Sequence, residues 1–436
     1  MSMSDWTPAG QTRFAFRPSP RLRSRSGAYF CLAIAAALLT IAPVRGASFK
    51  VLYSFPTNSD PSSTLVQGCD GALYGTTLTG GAEGYGSIFR VTTSGAFTNL
   101  LSFSYTNGAF PSSPLLVGAD GAFYGTTRAG GPMGWYGTVF RLSPEGALET
   151  LAAFSGPDGA NPLALTPGRD GFFYGTTVAG GSYTNRSPYG DGTVFRVTIN
   201  GLLTSLASFN GISAWAPYAG LVQASDGALY GTTTYGGFTN QDTNGCGTVF
   251  KVTTNGVLTI LFSFAGTNGT YPWARLVEAP DGLLYGTASS GGPNGGGTVF
   301  RISTAGVLTT VAAFNGASGT SALYPACGLV QGSDGAFYGT TTQGAVAPDR
   351  YGGTIFRITT NGVLSRIYSF AEPDGRWPDA ALMQGSDGAF YGTCIYGGGA
   401  QNGGTVFRID MTTRMLPLER VLNAMKVSFN GLPATS

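Results

Sequence analysis

One short string, Asp-Gly-x-Leu/Phe-Tyr-Gly-Thr, occurs seven times in this chain and limits what it can fold into. The copies begin at Asp70, Asp120, Asp170, Asp226, Asp281, Asp334 and Asp387, with successive spacings of 50, 50, 56, 55, 53 and 53 residues. Self-similarity at such a period marks solenoids, propellers or arrays, in which one supersecondary unit buries its faces only against its neighbours. A length of 436 residues would otherwise suggest two or three domains. Seven copies of one unit argue instead for a single repeat-built body.

Residues 115–154 show what the unit is. A short apolar run, Leu115 to Ala119, meets Asp120-Gly121, a strong hairpin signal because both positions tolerate positive φ. Ala122 to Thr127 is β-rich, and Gly130-Gly131 opens a loop holding Met133, Trp135 and Tyr136. Gly137 to Leu142 reads as a third strand, Glu145-Gly146 as a turn, and Leu148 to Phe154 as a fourth strand. Both faces of these strands carry apolar side chains, as expected of sheets covered on both sides. Four antiparallel strands, A to D, stacked face against face every 50 residues or so describe an all-β, seven-bladed β-propeller.

Counting strands predicts how the ring closes. Strand C ends in Phe and a basic residue seven times: Arg90, Arg141, Arg196, Lys251, Arg301, Arg357 and Arg408. The strand D pattern follows only six of these, ending in Phe103, Phe154, Phe209, Phe264, Phe314 and Phe370. The missing copy stands at the other end, as Lys50-Val-Leu-Tyr-Ser-Phe55. An N-terminal strand at about 50–55 is therefore expected to complete blade seven and cover its edge. The propeller is expected over 47–410, leaving 411–436 as a tail in which Pro417 to Met425 could form a short helix.

Glycine is abundant, 69 of 436, but 42% hydrophobic and 12% aromatic content argue against disorder. Five arginines between Arg13 and Arg25 precede an apolar run of 14 residues, Tyr29 to Ala42, and small residues near Gly46. This reads as a secretory signal over 1–46, with an uncleaved anchor as the alternative. The apolar run is short for a membrane span. Six arginines and Asp5 would leave with the signal, so the remaining chain carries 18 basic and 21 acidic groups. That balance gives no footprint for nucleic acid. The expectations are a secreted or cell-surface, monomeric protein without cofactor or transmembrane segment. Cys69, Cys246, Cys327 and Cys394 lack metal-site spacing. Blades one and seven are ring neighbours, so Cys69–Cys394 is the first pair to test for a disulfide, against free thiols.

The recurring Asp-Gly-x-Leu/Phe-Tyr-Gly-Thr-Thr, then Gly-Gly, then Gly-Thr-Val-Phe-Arg-Val/Ile-Thr-x-x-Gly, then Leu-x-x-Leu-x-x-Phe resembles the GloVer tandem repeat. Over roughly residues 50–410 the chain is similar to choice-of-anchor tandem-repeat proteins of bacterial surfaces. The resemblance implies export and a repeat architecture, and it supplies no catalytic residue. Members often carry a C-terminal sorting anchor, and no such signal is recognisable from Met411 onward.

The chain has no histidine, which excludes Ser-His-Asp, Cys-His and histidine-ligated zinc chemistry. Glycosidase chemistry with two carboxylates survives, and a carbohydrate-active hydrolase or lyase using Asp/Glu in the ring centre is one alternative function. Asn240-Gln-Asp242-Thr-Asn244-Gly245 weakly suggests calcium but lacks a closing Glu. The seven repeated aspartates suit tight turns and are expected to brace the blades by pairing with the seven basic residues of strand C. The A–B and C–D turns share one face and are uniform. The B–C and D–A loops share the other and vary. Variable loops on a rigid scaffold are where binding normally sits. They hold Trp135, Tyr136, Tyr183, Tyr189, Trp215, Phe238, Trp273, Tyr351 and Trp377, aromatics suited to a polysaccharide or a surface protein. For Trp273 and Trp377, beside prolines, packing between blades is the competing expectation. A scaffold without ligand is the remaining alternative.

Overall fold

The computed structural model describes residues 45–237, 244–315, 323–344 and 352–413. Residues 46–412 form one compact unit. The signal segment up to residue 44 and the expected helix at Pro417–Met425 lie outside the described residues, as do Phe238 and Tyr351. Seven antiparallel sheets follow one another along the chain. Blade two is representative, with strands Leu116–Val117, Phe123–Thr127, Thr138–Leu142 and Leu148–Ala153. No helix is present among the described residues, and none is long and apolar enough to cross a membrane.

Strand B is buried along its whole length in most blades, as in Phe123–Thr127, because a neighbouring sheet covers each of its faces. The Gly within it is needed for that packing. A Cβ on Gly125 would come within 2.5 Å of the Phe140 ring on strand C. Strand C reads Thr-Val-Phe-Arg-Leu with only its Arg partly exposed. Strand D is the half-exposed outer edge.

The ring closes through the N-terminal strand. Arg45–Ser54 pairs with the last strand, Thr405–Thr413, in a sheet completed by Phe390–Cys394 and Met383–Gln384. The closing pair is longer than the sequence suggested, reaching back to Arg45 and on to Thr413. Each terminal strand D phenylalanine sets its ring edge-on or tilted against the strand C phenylalanine of the next blade. Phe103–Phe140 is at 5.4 Å, Phe154–Phe195 at 5.0 Å and Phe209–Phe250 at 5.0 Å. Phe264–Phe300 follows at 5.2 Å, Phe314–Phe356 at 5.0 Å and Phe370–Phe407 at 5.1 Å. Phe55–Phe89, at 5.0 Å, is the seventh member and joins the two chain ends.

A second series of contacts lies at the loop face. The glycine opening each strand C has positive φ, and a Cβ there would stand 2.6–2.8 Å from the Cδ of a proline in the next blade. The series begins at Gly86–Pro111 and ends by wrapping from Gly404 to Pro61. The residue before each of these seven prolines, from Asp60 (φ 46°) to Trp377 (φ 54°), is itself in the left-handed region. That conformation costs an L-residue about 1–2 kcal/mol. It lets the backbone serve two blades. Phe110 donates its N–H to Tyr85 O of the previous blade at 2.9 Å, and its carbonyl accepts from Arg128 N at 3.3 Å.

Candidate functional site

On the tight-turn face the repeated aspartates are structural. Asp120 Oδ1 accepts the N–H of Ala122 at 3.2 Å, and Oδ2 accepts the Tyr124 hydroxyl at 3.1 Å and Arg141 Nη2 at 2.7 Å. The Arg141 hydrogen bond is the main reason the Asp120 carboxyl is held below its ordinary value, and partial burial opposes it. The ion pair recurs at Asp70–Arg90, Asp226–Lys251, Asp334–Arg357 and Asp387–Arg408, 2.6–3.2 Å long. In the other two blades Asp170 and Asp281 keep their turn and tyrosine bonds without an ion pair to strand C. Arg196 lies over the Phe172 ring at 4.8 Å instead, and Arg301 acts on the Tyr285 hydroxyl. The tyrosine four residues after each Asp is the part the sequence reading missed, although it stands in all seven copies.

Cys69 and Cys394 do not pair with one another: Cys69 is exposed in a tight turn, while Cys394 is buried at the far end of its strand. Cys394 faces Thr405 across the strands, where five blades place a pair of hydroxyls such as Thr127 and Thr138. Burial pushes the Cys394 thiol far up. Of the loop Asn240–Gly245, only Asn244 and Gly245 lie among the described residues.

The loop face divides the predicted aromatics into groups. Trp135, Tyr136 and Tyr189 line one cavity of about 940 Å³. Trp135 is 75% and Tyr189 80% exposed, and Trp135 rests edge-on against Tyr105 at 5.5 Å. Glycine, alanine and proline make up half of the lining, with Thr79, Asn161, Thr184 and Arg128 as its polar residues. Blade three contributes to this lining. Its strand A is split into Ala160–Pro162 and Thr166–Pro167, both paired with a longer strand B, Phe173–Ala179. The loop carrying Tyr189 is held by the buried Asp191 carboxylate, which accepts the backbone N–H groups of Asn185, Arg186 and Ser187 at 3.0–3.2 Å.

The remaining aromatics are elsewhere. Trp215 stacks on Tyr235 at 4.4 Å, and Trp377, still exposed, meets Tyr396 edge-on at 5.6 Å; neither tryptophan lines the cavity. Tyr183 is half-exposed beside the cavity loop without lining the cavity. Trp273 lies near Tyr218, ring centres 6.4 Å apart, at the mouth of a second space.

That second space, about 700 Å³, is the axial channel. All seven blades contribute from the segment entering strand A. Its wall is mostly small or apolar, and its charged residues are Arg128, Arg275 and Asp379. Leu78 and Arg128 line both spaces, so channel and loop cavity adjoin. Enclosure by the channel wall raises the Asp379 carboxyl to about 6, against the pull of Arg128, although the side chain is open to the lumen. The same enclosure lowers both arginines, with Tyr218 and Asp379 partly offsetting it at Arg128, and Arg275 too is exposed to the lumen. Asp379 is the one carboxylate in the channel wall, so the described residues provide no pair there for a two-carboxylate hydrolase. None of the three charged channel residues was singled out from sequence.

The family model of the Gloeobacter/Verrucomicrobia repeat matches residues 37–187, 136–326 and 235–431. This chain belongs to that repeat family. No curated protein matches it. Among solved structures, a putative 6-phosphogluconolactonase from Bacteroides uniformis is 17% identical, with a TM-score of 0.49, covering 77% of this chain and 94% of its own. A second, from Bacteroides fragilis, is 20% identical at a TM-score of 0.48, covering 74% and 88%. A gluconolactonase from Xanthomonas campestris is 14% identical at 0.43, covering 84% and 90%. Likeness at this level assigns no activity.

Proposed function

We propose that this repeat-family propeller is an exported, non-enzymatic binding module that takes a polysaccharide in the cavity on its loop face. The carrying observation is the placement of two largely exposed aromatic side chains, Trp135 and Tyr189, in the lining of a cavity of about 940 Å³. Exposed flat rings beside amide and hydroxyl groups suit the alternating apolar and hydroxylated faces of a sugar ring. Asp191 anchors the loop that carries Tyr189, which lowers the ordering cost of binding there. The basic, then apolar N-terminal segment supports export.

A glycan array with the chain from residue 47 to 436 tests this. The expected result is binding to at least one glycan class that falls at least ten-fold with Trp135→Ala and with Tyr189→Ala. Absence of any glycan binding, or binding indifferent to both substitutions, refutes it.

A further inference from the structure

We infer that the axial channel receives a carboxylate group of the bound glycan, held by Arg275 and Arg128, so that the ligand is an acidic, uronate-bearing chain. This rests on the glycan reading and narrows it.

The first observation is a break in the repeat. Sixth before the repeated Asp of blade five stands Arg275, where the other blades bring Thr64, Pro114, Ala164, Gly220, Gly328 and Ala381 to the channel wall. Arg128 follows strand B of blade two, at the place where the other blades carry Leu78, Val178, Thr234, Ser289, Thr342 and Ile395. Two of the repeat's uncharged positions are thus arginine, and both face the axis. Small residues opposite leave Arg275 its room. Its Cδ lies 3.8 Å from where a Cβ on Gly220 would be.

The second observation is charge without a partner. Among the described residues Arg275 makes no hydrogen bond or ion pair, and Arg128 Nε is buried with no acceptor. A guanidinium keeps its charge at any physiological pH, and Arg275 presents that charge, exposed, to the channel lumen. The protein supplies one carboxylate, Asp379, for two guanidinium groups. A planar guanidinium fork fits a carboxylate bidentately. Because Arg128 borders both spaces, a sugar on the Trp135 platform can place its carboxylate in the channel.

The ionisable groups facing the channel with Asp379 are Arg128, Arg275, Tyr218 and Cys327. Cys327 is driven well above its ordinary value, by burial first and then by Asp379. Asp379 is therefore the group that titrates between pH 5 and 7. When protonated it no longer opposes an incoming anion, so binding of the acidic ligand tightens as pH falls through that window.

The test is calorimetry with galacturonic acid hexamer and its fully methyl-esterified form, which keeps the rings and removes the charge. Wild type is expected to prefer the acid by about ten-fold or more, the value of a charge-assisted bond. Arg275→Met should reduce that preference to about two-fold while binding the ester as wild type does. Asp379→Asn should tighten the acid by about three- to ten-fold at pH 7, the effect of one nearby like charge, and remove the gain between pH 7 and pH 5. Asp379→Asn keeps the test decisive should Arg275→Met fail to fold. Equal binding of acid and ester by wild type overturns the inference and leaves the glycan reading standing. Acid preference retained in Arg275→Met overturns it as well. Binding of neither hexamer, with no binding on the array, removes both.

Discussion

The seam at which the two chain ends meet should be as strong as any seam inside the chain. The clearest perturbation is Phe55→Ala, compared with Phe209→Ala. Phe55 is 2% exposed and Phe209 1%. Phe55 meets Phe89 at 5.0 Å with rings inclined by 67°, and Phe209 meets Phe250 at 5.0 Å and 72°. Each phenylalanine also donates its backbone N–H across the sheet, Phe55 to Gly404 O and Phe209 to Gly192 O, both at 2.9 Å. Loss of ring transfer contributes about 2 kcal/mol. A partly collapsed cavity of roughly 60 Å³ adds about 1.5 kcal/mol at ~24 cal/mol per Å³. Both substitutions should therefore cost about 3–4 kcal/mol, and the two should agree within about 1 kcal/mol. Urea unfolding of the 47–436 chain, followed by tryptophan fluorescence and circular dichroism, gives both values from the midpoint at constant slope. If Phe55→Ala costs less than about 1 kcal/mol while Phe209→Ala costs its full amount, the closing strand frays independently. The argument that it completes blade seven would then fail.

Three further outcomes follow from the same contacts. Asp226 is held below its ordinary carboxyl value despite burial, by hydrogen bonds from Tyr230, Lys251 and Ala228. A depressed carboxylate contributes stability above its unfolded value and loses it as pH falls, so Asp226→Asn should cost about 1 kcal/mol at pH 7 and progressively less below pH ~4; a pH-independent cost in urea titrations counts against the brace. Gly247 sits at φ 93°, where a Cβ would stand 2.6 Å from Pro272 Cδ, whereas Gly227 at φ 82° has open space. Gly247→Ala should therefore lose more than about 2 kcal/mol and Gly227→Ala only about 1 kcal/mol; equal losses in thermal melts would deny the blade-to-blade role of the glycine–proline contact. In the native protein a thiol reagent should modify Cys69 promptly and leave Cys327 and Cys394 untouched until unfolding, since both are buried and their thiols are pushed up; fast labelling of all of them would contradict the packing.

The fold was legible because the repeat encodes it several times over. Asp-Gly turns gave the register, and register exposed the displaced strand ending at Phe55. The loop face was legible in part. Trp135, Tyr136 and Tyr189 do converge on one cavity, but loop membership cannot tell which aromatics share it, and Trp215 and Trp377 pair with other rings outside it. Their fate depends on Tyr235 and Tyr396 across the loop, contacts with no fixed spacing in sequence. The channel charges were missed for another reason. Attention to what recurs hides what occurs once, and Arg128, Arg275 and Asp379 each occupy a column that is uncharged in the other blades. Aligning the seven units position by position would have found all three. Asp191 could not have been found so, since it stabilises a loop peculiar to blade three.

The seam also sets an order of events in the life of each molecule. Thr57 and Gln401, which bond across it, are 344 residues apart in the chain. At usual rates of synthesis, the first strand waits roughly 20–70 s for its partner to be made. Every other strand finds its sheet within its own blade. The first strand alone begins as an orphan, a β-prone segment with Phe49, Leu52, Tyr53 and Phe55 in water and no sheet to join. Such an edge pairs readily with a second chain. The molecule's main hazard is thus an interval rather than a weak contact, and whatever sequesters residues 45–55 during that interval governs the yield of closed rings.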